Sequence, residues 1–158
     1  MSPKPSSKTN KFNRLRRLSQ LLDNAIPIPI SGYRIGIDPI LGLLPGGGDI
    51  VAGALGAYIV VEAARMGLPR QVVGQMVGNI VFDSIVGTVP VLGDLFDVGW
   101  KANVRNIALL EKHLHLTQPN QKSDRLFLIG LIILLAAIVI GFATVTVLVI
   151  SWLWNSIN

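Results

Sequence analysis

At 158 residues the chain has room for one compact domain and an anchor, but not for a second independent core. Hydrophobic residues make up 51% of it and charged residues only 15%, against roughly 25% charged in soluble domains, so the excess of apolar side chains points to lipid. The absence of cysteine excludes a disulfide framework, a thiolate nucleophile and Cys-based zinc or iron–sulfur chemistry, and the net charge of +5 is unevenly placed.

Six of the fourteen basic residues, Lys4, Lys8, Lys11, Arg14, Arg16 and Arg17, fall within the first seventeen positions. Such an arm suits anionic lipid headgroups and cytoplasmic retention. Nucleic acid is not expected as a partner, because neither an aromatic stacking platform nor a basic recognition helix accompanies the arm. The stretch 14–23 reads RLRRLSQLLD, without the apolar run of a signal peptide, which predicts a retained N-terminus. Residues 1–13 read as a disordered basic arm. Over 14–24, Leu15, Leu18, Leu21 and Leu22 recur at helical spacing with basic residues opposite. That is an amphipathic helix, lying either on a membrane or against the protein's own core. The segment IPIPI at 26–30 is a stiff connector, since its prolines lack amide donors and force their predecessors into extended geometry.

Beyond it the chain is apolar and punctuated by glycine to Met66, breaks at Gly67-Leu68-Pro69, and resumes to about Leu114. Within this stretch, residues 38–49 and 83–94 both read Asp-x-x-x-Gly-x-x-Pro-x-x-Gly-Asp. The agreement at fixed internal spacing reads as a duplication. Asp38, Gly42, Pro45, Gly48 and Asp49 correspond to Asp83, Gly87, Pro90, Gly93 and Asp94. In the first copy the aspartates suit helix starts; in the second, Asp83 either caps a helix or sits within a preceding one and Asp94 opens the next; the proline and glycines suit the break between two helices. The predicted domain therefore spans 25–114 as helix, break, helix, repeated over about 34–66 and 79–113.

Asp38, Asp49, Asp83, Asp94 and Asp97 stand in otherwise apolar surroundings, so they admit two readings. As helix caps they are structural; as acids in lipid they would form an ion site between two broken-helix repeats, as in small transporters. The uncharged runs 50–61 and 71–82 are too short to span a bilayer alone, which favours short helices forming a compact domain against the membrane face. Small residues at helical spacing, Gly53/Ala57, Gly74/Gly78 and Ala137/Gly141, allow close helix approach within one chain or in a homo-oligomer.

Residues 115–124 form a polar linker, and 126–150 carry no charge at all. At about 1.5 Å per residue that run exceeds a hydrocarbon core of about 30 Å, which predicts a transmembrane helix over 125–154. Trp152 and Trp154 follow it, whereas Lys112, Lys122 and Arg125 precede it, so the linker, the repeat domain and the N-terminus are expected in the cytoplasm. Gly46-Gly47-Gly48 lacks the lysine and hydroxyl residue of a P-loop, His113 and His115 lack companions for a metal, and no nucleophile motif is present. No cofactor, metal or catalytic residue is expected.

The segments IPIPISGYRIGIDPILGLLPGGGDIVAG and DSIVGTVPVLGDLFDVGWKANVRNIALLEKHL resemble the family labelled domain of unknown function 4112, over about 22–114. That resemblance implies a membrane-associated protein and supplies no activity or catalytic residues. The expected protein is all-α: a duplicated helix–break–helix domain followed by a single transmembrane helix. Its expected role is a non-enzymatic binding or scaffolding module that contacts anionic lipid and a protein partner not specified by the sequence; the alternative is the small transporter.

Overall fold

A computed structural model describes residues 7–24, 26–27, 34–35, 48–87, 101–114 and 124–157 of the chain. Five α-helices make up almost all of this: α1 (Ser7–Asn24), α2 (Gly48–Arg65), α3 (Arg70–Gly87), α4 (Ala102–His113) and α5 (Arg125–Ile157). One small antiparallel bridge joins β1 (Ile26–Pro27) to β2 (Arg34–Ile35), with Ile26 opposite Ile35.

Helix α1 begins at Ser7, earlier than the start expected at Arg14, so the basic arm is helical over its second half. The cause is tertiary. Phe12 is buried on the same face as Leu15, Ser19 and Leu22, and its docking carries the helix toward the N-terminus. This settles the choice between membrane and core for that face: the apolar stripe of α1 packs inward, chiefly against α4.

The break between α2 and α3 is a hydrogen-bonded cap. Gly67 adopts φ 85°, its N–H donates to Ala64 O (3.0 Å), and the Leu68 N–H donates to Ala63 O (3.3 Å). This paired pattern ends a helix with a left-handed residue that glycine supplies without a Cβ penalty. Leu68 then buries its side chain, and Pro69 supplies the carbonyl that accepts the first bonds of α3, from the N–H groups of Val72 and Val73. The short turn makes α2 and α3 an antiparallel hairpin.

Three layers stack on one another. Helix α5 packs along α2 and touches α3; α4 packs on the other side of the hairpin; α1 covers α4. Ile59, Val60, Val73, Met76, Leu110 and Leu135 lie at the centre, each less than 2% exposed. Asp23 meets Asn103 and Val104 while Arg16 faces Glu111, so α1 and α4 run antiparallel; Gly53 abuts Val139 while Arg70, just past the turn, meets Asp124, so α2 and α5 do too. The bundle therefore has two ends. The turn end gathers residues 66–69, the end of α4, the start of α5 and the beginning of α1. The open end gathers the start of α2, the end of α3, the start of α4 and the end of α1, and α5 continues past it.

Candidate membrane-contact site

Two polar clusters hold the interior in register. Asp23, on the apolar face of α1, accepts from Asn103 Nδ2 at 2.9 Å and from the Val104 N–H at 2.8 Å. The carboxylate thus caps the first turn of α4 from another helix, satisfying an amide donor that has no partner within α4. Burial pushes the Asp23 carboxyl above its ordinary value, against the opposing pull of the Asn103 and Val104 bonds and the charge of Lys101. One turn further, Asn106 donates to Met76 O (3.2 Å) and accepts from Asn79 Nδ2 (2.8 Å), locking α4 to α3. A fully buried amide such as Asn106 is tolerated because its oxygen and nitrogen are both bonded.

The start of α5 is fixed to the hairpin turn. Asp124 accepts from the Leu126 N–H at 3.1 Å, capping α5, and its other oxygen pairs with Arg70 at 2.9 Å. The Arg70 guanidinium also lies over the Phe127 ring, 4.9 Å from its centroid. Beside it, Glu62 and Arg65 form an ion pair one turn before the cap. Arg16 of α1 approaches Glu111 of α4 at 3.8 Å. The exposed basic side chains Lys11, Arg14, Arg16, Arg17, Arg65, Arg70, Lys112 and Arg125 are thus gathered toward the turn end, with Glu62, Glu111 and Asp124 as their acidic companions among the described residues.

Helix α5 is long and apolar enough to cross a membrane, and little of its apolar span is buried by the rest of the chain. It packs through Leu131 and Leu135 and leaves residues such as Ile133, Ile140, Leu148 and Trp152 more than half exposed. No other described helix meets that test of length and composition.

The aspartates singled out in the sequence fare unevenly. Asp83 lies within α3, half-buried and in contact, which is the second of its two expected placements and not the helix start. Asp49 is the second residue of α2, with Gly48 the first, and Gly87 is the last residue of α3. Because α2 and α3 are antiparallel, Asp49 and Asp83 belong to the same, open, end of the hairpin. Asp38, Gly42, Pro45, Pro90, Gly93, Asp94 and Asp97 lie outside the described residues, as do Lys4, His115 and the linker 115–123. The helices that follow the two motif copies differ, eighteen residues in α2 and twelve in α4, so the duplication stays a property of the sequence. His113 bonds its own helix through Leu109 O (2.8 Å), and among the described residues no three His, Asp or Glu side chains gather as a metal would require.

Sequence reasoning passed over Asp23, Asn79, Asn103, Asn106, Arg70 and Asp124. A signal for the first existed: Asp23 stands four residues beyond Ser19 and eight beyond Leu15, on the buried face of α1. Asn103 and Asn106 share the face of Ile107 and Leu110 in the same way.

The pattern of the family described as Domain of unknown function (DUF4112) matches residues 11–114. The chain belongs to this family. The match begins inside α1, ahead of the start expected at residue 22, and ends with α4, so DUF4112 corresponds to the four-helix bundle and leaves α5 outside it. No curated protein and no solved structure matches the chain.

Proposed function

We propose that the protein is a non-enzymatic, membrane-anchored binding module, held by α5 with its N-terminus and the turn end of the bundle on the cytoplasmic side. The carrying observation is positional: the basic face of α1 and the first residue of α5 share one end of the bundle, linked through Arg16–Glu111 and Arg70–Asp124. A helix that starts at the headgroup layer puts every basic residue of that end beside lipid phosphates. Each basic residue near an anionic surface adds about 1 kcal/mol of attraction, screened within a Debye length. Positive charge before a span also favours the cytoplasmic side. A partner protein would meet the outward faces of α1 and α4.

The test is association of spin-labelled lipids with the full chain reconstituted in vesicles. Phosphatidylserine should be retained over phosphatidylcholine, and the preference should shrink with added salt and in the variant Arg14→Gln/Arg17→Gln. Equal retention of the two lipids at low salt would rule out the headgroup contact.

The transporter reading draws support from one observation, the gathering of Asp49 and Asp83 at the open end of an apolar hairpin. It requires that a cation shift the stability of the reconstituted protein and that Asp83→Asn abolish the shift; a shift unaltered by that substitution rejects it.

A further inference from the structure

We infer that the open half of the α2–α3 hairpin is inserted into the near leaflet of the bilayer beside α5, with Ile50, Val51, Phe82 and Ile85 against acyl chains and Tyr58 at the headgroup boundary. The inference rests on reading α5 as the membrane span, and two independent observations carry it.

The first is register. Val139 packs against Gly53, and Arg70 holds Asp124, so α2 runs antiparallel to α5 and covers its first half. The start of α2 at Gly48 falls opposite about residue 144. Between that level and the interfacial Trp152 and Trp154 lie only about 12–15 Å of helix, too short for a hydrocarbon core of about 30 Å. The span must therefore include residues that lie beside α2. With Trp152 and Trp154 at the far boundary, about 30 Å of helix reaches back to about Ile132. The residue of α2 opposite Ile132 is Val60, so 48–59 of α2 lie within the membrane. By the symmetry of the hairpin, about 76–87 of α3 do so as well. That depth, about 18 Å, is little more than one leaflet.

The second observation is the surface of the bundle, which makes no use of α5. Among the described residues, the large apolar side chains that α2 and α3 leave exposed are Ile50 (42%), Val51 (47%), Phe82 (40%) and Ile85 (50%) at the open end and Tyr58 (48%) near mid-helix, with none at the turn end. Exposed charge is placed the other way. On α1 it occupies 11–17, among the described side chains of the hairpin it is Arg65 and Arg70, and on α4 it includes Glu111 and Lys112. The boundary between the two surfaces falls near Tyr58 and Glu62, where the register of α5 also puts it. A patch of this kind on a soluble face would be an association hazard; in lipid it is the solvated surface. Of the described residues of α4, Arg105 is exposed and stands within a turn of the boundary, and the part-exposed Lys101 lies about a turn deeper; the stem of each can carry its charge toward the headgroups. Asp83 lies at the inserted depth and is half-buried, engaged with its neighbours.

The absence of native cysteine allows a direct test. Single cysteines at Ile50, Val51, Tyr58, Phe82, Ile85, Lys112 and Leu148, all exposed, would carry a nitroxide in the full chain reconstituted in phosphatidylcholine/phosphatidylglycerol vesicles. Accessibility to oxygen, which partitions into lipid, is compared with that to a water-soluble nickel chelate. Positions 50, 51, 82 and 85 should show an oxygen-to-nickel ratio several-fold above that at 112 and near that at 148, with 58 intermediate. If 50 and 82 match 112 while 148 stays in lipid, the insertion is wrong and the anchor stands. If 148 itself is open to nickel, the reading of α5 as a span falls, and the insertion with it.

Discussion

Asp23 shows how one side chain comes to depend on the position of a helix distant in sequence. Its carboxylate is held by Asn103 and the Val104 amide across some eighty residues of chain, and Asp23→Ala removes both of these bonds. The expected loss is about 1–3 kcal/mol, readable as a lowered unfolding midpoint in mild detergent. The pH dependence follows from the raised value. The folded state holds the proton more tightly than the unfolded chain, so this contribution to stability is fully present below about pH 4 and is lost as pH rises through the folded value. Asp23→Asn should remove that slope, and an unchanged profile would assign it to other carboxylates. Asn106→Ala should be costlier than Asn79→Ala, because Asn106 is fully buried and bonds both Met76 O and Asn79. Asp23 and Asn106 were readable as members of apolar helix faces, but the identity of the groups they meet was not.

Among the helices, glycine does different work at positions that look alike in sequence. A Cβ on Gly53 would stand 3.0 Å from Val139 Cγ2, and one on Gly56 would stand 3.0 Å from Asn103 Oδ1, whereas Gly74, Gly78 and Gly141 face open space. Gly74→Ala should therefore stabilise α3 by up to about 1 kcal/mol through helix propensity alone. Gly53→Ala and Gly56→Ala should lose that gain to the contact, and Gly53→Ala should be partly rescued by Val139→Ala. Thermal unfolding of the four variants gives the ranking directly; equal gains at 53 and 74 would mean that α2 and α5 are not packed at that register. The Arg70–Asp124 pair is exposed, so a double-mutant cycle there should give no more than about 1 kcal/mol. Spacing alone marked Gly53, Gly74, Gly78 and Gly141 as places of close approach but not Gly56, and tertiary packing selected Gly53 for α5.

For the molecule as a whole, α5 is both a helix of membrane-spanning length and a cover for the bundle. It hides the face of α2 around Gly53 and packs on the core through Leu131 and Leu135, although the DUF4112 segment ends before it. Ending the chain after Leu114 should therefore leave a bundle that aggregates without detergent, measured by light scattering, even though all four helices of the family segment remain. Topology gives a second check. A cysteine at the exposed Gln71, beside the hairpin turn, should react with an impermeant reagent from the cytoplasmic side, and one at Ser156 from the opposite side. Labelling of both from one face would exclude a single crossing by α5.

Composition and pattern were enough to determine that the protein is helical and that its last segment is long and apolar enough to cross a bilayer. Both follow from local rules, the spacing of leucines in α1 and the uncharged run in α5. The break at Gly67 was equally local, because a left-handed residue followed by proline can do little else. What only the tertiary structure decided is how the helices share their surfaces. The stripe of α1 faces α4 rather than lipid, since Phe12 and Leu15 find a core to fill. The hairpin lies beside the first half of α5, because Arg70 and Gly53 fix both ends of that contact. The apolar runs of α2 and α3 are too short to declare themselves as membrane segments, and their depth becomes readable only when they are aligned against a helix that is long enough.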